Sequence, residues 1–246
     1  MIRNFVLLLR ALALVAGCNT SRIPNQSNLK QGDGSPPDFS NTDASGLDSG
    51  YARGLASVVE AGEQNFVVYS ERSSESERHV TVRIFDRLFK NSRTINITEP
   101  SAGVKCYLPQ LVAREKRYYV TYTCSRPSFS AQSQVYLRIL DENWAPIAEM
   151  PFYENEGGYD SKLIFFKEAD GKESPYLTYV SNDQGVLVRQ LDRESFAPVA
   201  EVVASSKLSV PYKTSSPYLF VDGNGRLALS FIGIYENQKQ TLSLTF

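Results

Sequence analysis

One stretch of seven residues occurs three times in this chain, and it restricts the fold more tightly than any other feature. Val80-Thr-Val-Arg83-Ile-Phe-Asp86 matches Val135-Tyr-Leu-Arg138-Ile-Leu-Asp141, and both match Val186-Leu-Val-Arg189-Gln-Leu-Asp192. A fainter copy, Thr241-Leu-Ser-Leu-Thr-Phe246, stops where the aspartate would come. Copies spaced by ~50 residues mark an architecture in which one supersecondary unit recurs. The surroundings repeat as well. Trp144-Ala-Pro-Ile-Ala-Glu149 returns as Phe196-Ala-Pro-Val-Ala-Glu201, and Phe89 takes the aromatic place in the first unit. Ahead of each arginine-bearing run lies an apolar run (66–69, 118–122, 176–180, 227–231), and ahead of that another (57–59, 110–112, 162–166, 217–221). Ala61-Gly62, Asp170-Gly171 and Asp222-Gly-Asn-Gly225 read as the turns between them.

Each unit therefore reads strand, hairpin, strand, loop, strand, turn, strand. This predicts an all-β chain, a β-propeller of about four four-stranded blades over residues 51–246, with the last blade incomplete. A two-sheet sandwich is the competing all-β architecture, but it gives no reason for one heptapeptide to recur. The ring either closes imperfectly or stays an open arc with an exposed strand edge. Arg83, Arg138 and Arg189 recur at one place, as do Asp86, Asp141 and Asp192. These six are expected to be structural, the aspartates being candidate partners for the arginines within or between blades. The alternative is an anion-binding arginine triad, because the guanidinium fork suits a carboxylate.

The N-terminus reads as an address. A short basic start, an apolar stretch and a small-residue end are the layout of an export signal. The apolar stretch is shorter than the ~20 residues a bilayer span needs. Its end, Val15-Ala16-Gly17-Cys18, resembles the lipobox of bacterial lipoproteins, although Arg10 interrupts the apolar run. The resemblance implies a signal peptide over residues 1–17, acylation of Cys18 with palmitate, and a membrane partner through that anchor. Asn19 after the cysteine implies the outer membrane of a bacterial envelope. Residues 18–50 are rich in Ser, Asn, Asp, Gly and Pro. Such a segment buries too little surface to offset its ordering entropy, so a disordered, flexible tether is expected. Its relaxed reach is ~30 Å.

Cys106 and Cys124 flank a hairpin whose turn lies near Arg114-Glu115-Lys116, with Glu115 equidistant from both. Folding about that point places the cysteines opposite each other, with Cα atoms ~4.5–5.5 Å apart, inside disulfide range. Export leads to an oxidising compartment, so a Cys106–Cys124 bond is expected. Free core thiols or a metal pair are the alternatives.

The 26 Lys+Arg against 27 Asp+Glu argue against a nucleic-acid partner. A single histidine, His79, argues against a His-rich metal site and a Ser-His-Asp triad. No P-loop, dinucleotide fingerprint or nucleophile elbow is present, so no cofactor, metal or assembled catalytic set is expected. Ser181-Asn-Asp183-Gln-Gly185 resembles the start of the Asp box of sialidase-like propellers. Leu187 and Val188 stand where that motif has Thr and Trp, and the motif stabilises a turn and does not catalyse. Glu154, Glu156 and Asp160 are candidates for the carboxylate pair of glycoside cleavage. Tyr118, Tyr119, Tyr122, Tyr153 and Tyr159 are candidates for stacking on sugars, against a default of sheet packing. The resulting expectation is a lipid-anchored, non-enzymatic propeller module that binds a protein or a glycan. The alternative is a carbohydrate-active enzyme, a sialidase-like glycoside hydrolase.

Overall fold

A computed structural model describes residues 57–74, 77–89, 91–125, 133–152, 157–204, 213–235 and 238–246. The export signal with Cys18, the tether, Tyr153, Glu154 and Glu156 lie outside the described residues. The first blade comprises β1 (Ser57–Ala61), β2 (Gln64–Ser74), β3 (Glu77–Asp86) and β4 (Ser92–Asn96). The second comprises β5 (Lys105–Arg114), β6 (Arg117–Ser125), β7 (Ser133–Leu140) and β8 (Pro146–Phe152). The third comprises β9 (Gly158–Lys167), β10 (Glu173–Ser181), β11 (Gly185–Leu191) and β12 (Pro198–Val203). The fourth holds β13 (Lys213–Val221), β14 (Leu227–Tyr235) and β15 (Gln238–Thr245) among the described residues. Consecutive strands of a blade pair antiparallel, and one parallel bridge, Arg78 to Lys105, joins the first blade to the second. The architecture is the all-β propeller that the repeat predicts.

Burial follows strand rank. The central strands β6 and β10 are buried along most of their length, because each is covered by a neighbouring blade on either side. Strands β8 and β12 are mostly exposed and begin at Pro146 and Pro198. A proline lacks the N–H that would template further pairing, so it suits an outer edge. Among the described residues three hydrophobic cores result, one between each pair of consecutive blades. Tyr119, Leu137 and Ile139 of the second blade, for example, pack with Leu177, Leu191 and Phe196 of the third.

The recurring charges do not pair as expected. Arg138 reaches Glu149 (3.3 Å) and Arg189 reaches Glu201 (2.5 Å), each directly opposite on the outer strand. Arg83 donates to the Ser92 hydroxyl (3.2 Å). The aspartates cap turns instead. Asp86 accepts from the N–H groups of Leu88 and Asn91 (both 3.1 Å). Asp141 accepts from Asn143 and Ala145 (both 2.8 Å), and Asp192 from Glu194 (3.1 Å) and Ser195 (2.8 Å). A tight turn leaves N–H groups without ladder partners, and a short carboxylate is the nearest acceptor. Each capped turn also holds an aromatic residue in the left-handed region: Phe89 (φ 57°), Trp144 (φ 68°) and Phe196 (φ 58°).

The Cys106–Cys124 disulfide is present, and it depends on an irregularity. Arg114 pairs with Arg117, so the turn is centred between Glu115 and Lys116 (φ 47° and 60°), not on Glu115. A straight ladder from that turn would set Cys106 against Ser125. A bulge between Tyr107 and Gln110 inserts one extra residue into β5 and brings Cys106 opposite Cys124.

Candidate functional site

The inner strands β1, β5, β9 and β13 touch one another in succession and run the same way, from the inter-blade connections toward the first hairpins. Their starting ends form one mouth of the propeller. At that mouth the bulge of β5 recurs. The ladder shifts where β9 opposes Thr178 and Val180, and again between Ser215 and Tyr218 of β13. Each bulge holds one non-glycine residue in the left-handed region: Leu108 (φ 52°), Asp160 (φ 54°) and Ser216 (φ 52°). That conformation costs an L residue ~1–2 kcal/mol, and the ladders on both sides enforce it. Bulges re-aim side chains and gather beside active sites. Of the three residues, Asp160 carries an ionisable carboxylate.

Asp160 forms an ion pair with Lys162 (2.9 Å), two residues along the same strand, with 15% and 24% of the side chains exposed. Its neighbour Tyr159 is half-buried. Burial first, then the Asp160 carboxylate and the Tyr107 phenol, raise the Tyr159 pKa above its ordinary value. Tyr107, on β5, exchanges a hydrogen bond with the Ser133 hydroxyl (2.6 Å). Close backbone approach makes this cluster possible. Gly157 has φ +87°, and a Cβ there would lie 2.6 Å from the Ser133 carbonyl oxygen. Its own carbonyl accepts from the Asn182 N–H (3.0 Å), which ties the Ser181–Gly185 turn to the mouth. Among the described residues, the buried hydroxyls of Thr123 and Ser161, beside the β5 and β9 bulges, have no hydrogen-bond partner.

A carboxylate, an ammonium and two phenols at one mouth suit a polyhydroxylated ligand: the charged groups accept from and donate to hydroxyls, and the rings offer apolar faces. Glycoside cleavage uses two carboxylates. The described residues place Asp160 there, and Glu154 and Glu156, just upstream, lie outside them. Among the described residues, no three His, Cys, Asp or Glu side chains gather as a metal site.

The other sequence candidates are elsewhere. Tyr118 stacks on Trp144 (centroids 3.8 Å, 13° between planes), while Tyr119 and Tyr122 are buried in the inter-blade cores. The Tyr122 hydroxyl donates to Glu149 (2.7 Å). Arg83, Arg138 and Arg189 lie on the third strand of their blades, turned to outer-strand partners, so they do not converge as an anion triad. Ser181 donates to Asp183 in the turn between β10 and β11, one hairpin earlier than the Asp-box turn of sialidase-like propellers. Tyr107 and Lys162 escaped the sequence reading. The signal for the bulges was there: Leu108-Pro109 and Ser216-Pro217 put a proline at the same place in two units.

No family model and no curated protein matches the chain. Solved structures do. A GH43 β-1,3-galactosidase superposes with a TM-score of 0.55 at 15% identity, over 76% of this chain and 42% of its own. The GH43 endo-arabinanase from Bacillus licheniformis gives 0.55 at 15% identity, over 81% of this chain and 74% of its own. An exo-β-1,3-galactanase from Phanerochaete chrysosporium gives 0.51 at 15% identity, over 76% and 46%. The chain thus spans less than half of the galactosidase and galactanase chains. At this identity the likeness establishes the β-propeller fold. It also corrects the expectation of a non-enzymatic protein- or glycan-binding module, because these neighbours are glycoside hydrolases and favour the carbohydrate-active alternative.

Proposed function

We propose that this chain is a carbohydrate-active propeller that cleaves glycosidic bonds in an arabinan- or galactan-type polysaccharide, at the mouth around Asp160. The observation that carries the reading is the bulge that turns Asp160 into a cluster with Lys162, Tyr107 and Tyr159, in a fold whose solved neighbours include galactanases and arabinanases. Asp160 is one of the two carboxylates, Lys162 fixes its orientation, and the tyrosines hold the sugar. Glu154 and Glu156 are the nearest acids in sequence for the second role. The purified chain, incubated with debranched arabinan and with β-1,3-galactan, should release reducing ends from at least one. Asp160→Asn should reduce that release by ~10³-fold or more, as expected for a lost acid-base or nucleophilic group, with the melting temperature held. Absence of release from both polymers overturns the reading.

We further propose that this activity sits at the bacterial envelope, anchored through an acylated Cys18 in the outer membrane; the resemblance of Val15-Ala16-Gly17-Cys18 to a lipobox supports this. Palmitate labelling in cells should depend on Cys18, and a Cys18→Ser chain that labels as strongly as the parent rules the anchor out.

A further inference from the structure

The three bulges can be compared residue by residue, because the ladders on either side of each fix the register. Tyr107 opposes Thr123 and Gln110 opposes Thr121; Tyr159 opposes Val180 and Lys162 opposes Thr178; Ser215 opposes Ile232 and Tyr218 opposes Ser230. The residue after the left-handed one is therefore Pro109 in the second blade, Ser161 in the third and Pro217 in the fourth. All three are buried, and the serine alone of them has a polar side chain, smaller than the proline ring. Each faces the preceding blade, as do Leu111, Leu163 and Leu219 two residues on, which join the inter-blade cores. On the second strand, Ser70 opposes Val80, Thr123 opposes Val135 and Val180 opposes Val186, so Ser70, Thr123 and Val180 also hold one place, turned to the following blade.

These two places face each other across each interface. Between the first and second blades, the Ser70 hydroxyl donates to the Cys106 carbonyl (2.7 Å), and Pro109 offers no polar side chain. Between the third and fourth, Val180 and Pro217 are both apolar. Between the second and third, Thr123 and Ser161 put a hydroxyl at each place. The two blades are in close contact there. Thr121, on the same face of β6 as Thr123, donates to the Ser161 carbonyl (3.4 Å), and Leu163 shares a core with Tyr119 of β6. Thr123 and Ser161 are 0% exposed, and among the described residues neither hydroxyl has a hydrogen-bond partner. A buried hydroxyl without a partner is costly and rare, and here two occur at one interface, beside Asp160.

We infer that Thr123 and Ser161 form a binding site for one buried water, held between the second and third blades. Buried waters make about three hydrogen bonds to groups that otherwise lack partners. Two are to these hydroxyls. The third is to the Gly158 carbonyl, which holds the register place of the Cys106 carbonyl that takes the Ser70 hydroxyl. The exchange of proline for the smaller serine supplies both the room and the donor. The water does at this interface what the Ser70 contact does directly at the one before it. Because Ser161 lies between Asp160 and Lys162, the water braces the bulge from behind and holds the aim of that ion pair. The site does not depend on what the mouth cleaves.

A crystal structure of the full chain tests the site directly. One ordered water within ~3.2 Å of both Thr123 Oγ1 and Ser161 Oγ is expected. A direct bond between the two hydroxyls, or no water shared by both, overturns the proposal. Thr123→Val tests it by stability, because valine keeps the shape and removes the hydroxyl. With a shared water the change strands Ser161, and the folding equilibrium constant should fall ~5-fold or more, the usual consequence of leaving a buried group unsatisfied. Ser161→Ala should act in the same direction. The double variant should lose clearly less than the two single losses combined, since each removes the same water. Stability that holds or rises on Thr123→Val, as expected of a hydroxyl with nothing to bind, overturns the proposal, and so does full additivity of the two variants.

Discussion

The two ends of this propeller are built differently. At the hairpin end, residue identity recurs with geometry: Asp86, Asp141 and Asp192 cap equivalent turns, and Phe89, Trp144 and Phe196 follow in the same left-handed conformation. Asp222 repeats the cap in a different hairpin, accepting from Asn224 (2.8 Å) and Arg226 (2.9 Å). At the mouth the geometry recurs but the identities do not, and the three bulges hold a leucine, an aspartate and a serine. Where one side chain is kept from blade to blade, it serves the same turn each time, and Trp144 and Phe196 also pack onto the preceding blade. Where only the backbone shape is kept, each side chain is released for something else, and Asp160 is the one with chemistry to offer.

Phe196→Ala should break the hairpin end most severely. It empties a fully packed site between the second and third blades, and such truncations cost ~3–5 kcal/mol. Urea unfolding should report that loss while kcat/KM on a cleaved polymer stays within about twofold per folded molecule, as expected of a core position far from the reacting groups. A variant that loses activity in proportion to stability would erase the distinction between the two ends.

The disulfide sharpens the comparison from the other side. Replacing Cys106 and Cys124 by serine opens a link across 18 residues, worth ~3 kcal/mol. Because Cys106 meets Cys124 only through the β5 bulge, the loss should also loosen Tyr107 and raise KM. Gly157→Ala should act at the same mouth with a smaller stability cost of ~2 kcal/mol, from a left-handed conformation combined with a backbone collision. Its signature is a fall in activity larger than the shift in melting temperature implies. An alanine variant with parental kinetics would show that the glycine serves only the turn.

These contrasts explain what could be read from the chain in advance. The heptapeptide displayed the blades because β3, β7 and β11 face the same neighbours in each unit, so similar side chains serve. The aspartates were visible as a repeat, but their partners were not: a carboxylate five or six residues before an outer strand can cap its turn or meet an arginine, and spacing alone does not decide. The disulfide followed from an assumed turn at Glu115, and the structure reaches the same pairing through an off-centre turn and a bulge that compensate by one residue. The mouth was the least legible part. A bulge is a register event between two strands, and only Pro109 and Pro217 hint at it in one dimension.

Titration should separate the ends by the sign of their pH dependence. Asp170, Asp192 and Asp222 at the hairpin end have pKa values held below the ordinary carboxylate range, chiefly by backbone N–H donors. A folded-state pKa below the unfolded one stabilises at pH above ~4, and that contribution fades as the pH falls through the folded value. At the mouth, Tyr159 is shifted the other way, by burial and by its neighbours Asp160 and Tyr107. A raised pKa stabilises below pH ~10 and is lost as the pH climbs past it. Amide exchange should therefore open the capped turns first in acid and the Tyr159–Ser161 segment first in alkali. Asp192→Asn should shrink the acid effect at its own turn, since an amide oxygen still accepts but no longer titrates, and it should leave the alkaline opening of the mouth untouched. If both ends open together at either extreme, the propeller responds as one cooperative unit and the division drawn from its repeats is not a thermodynamic one.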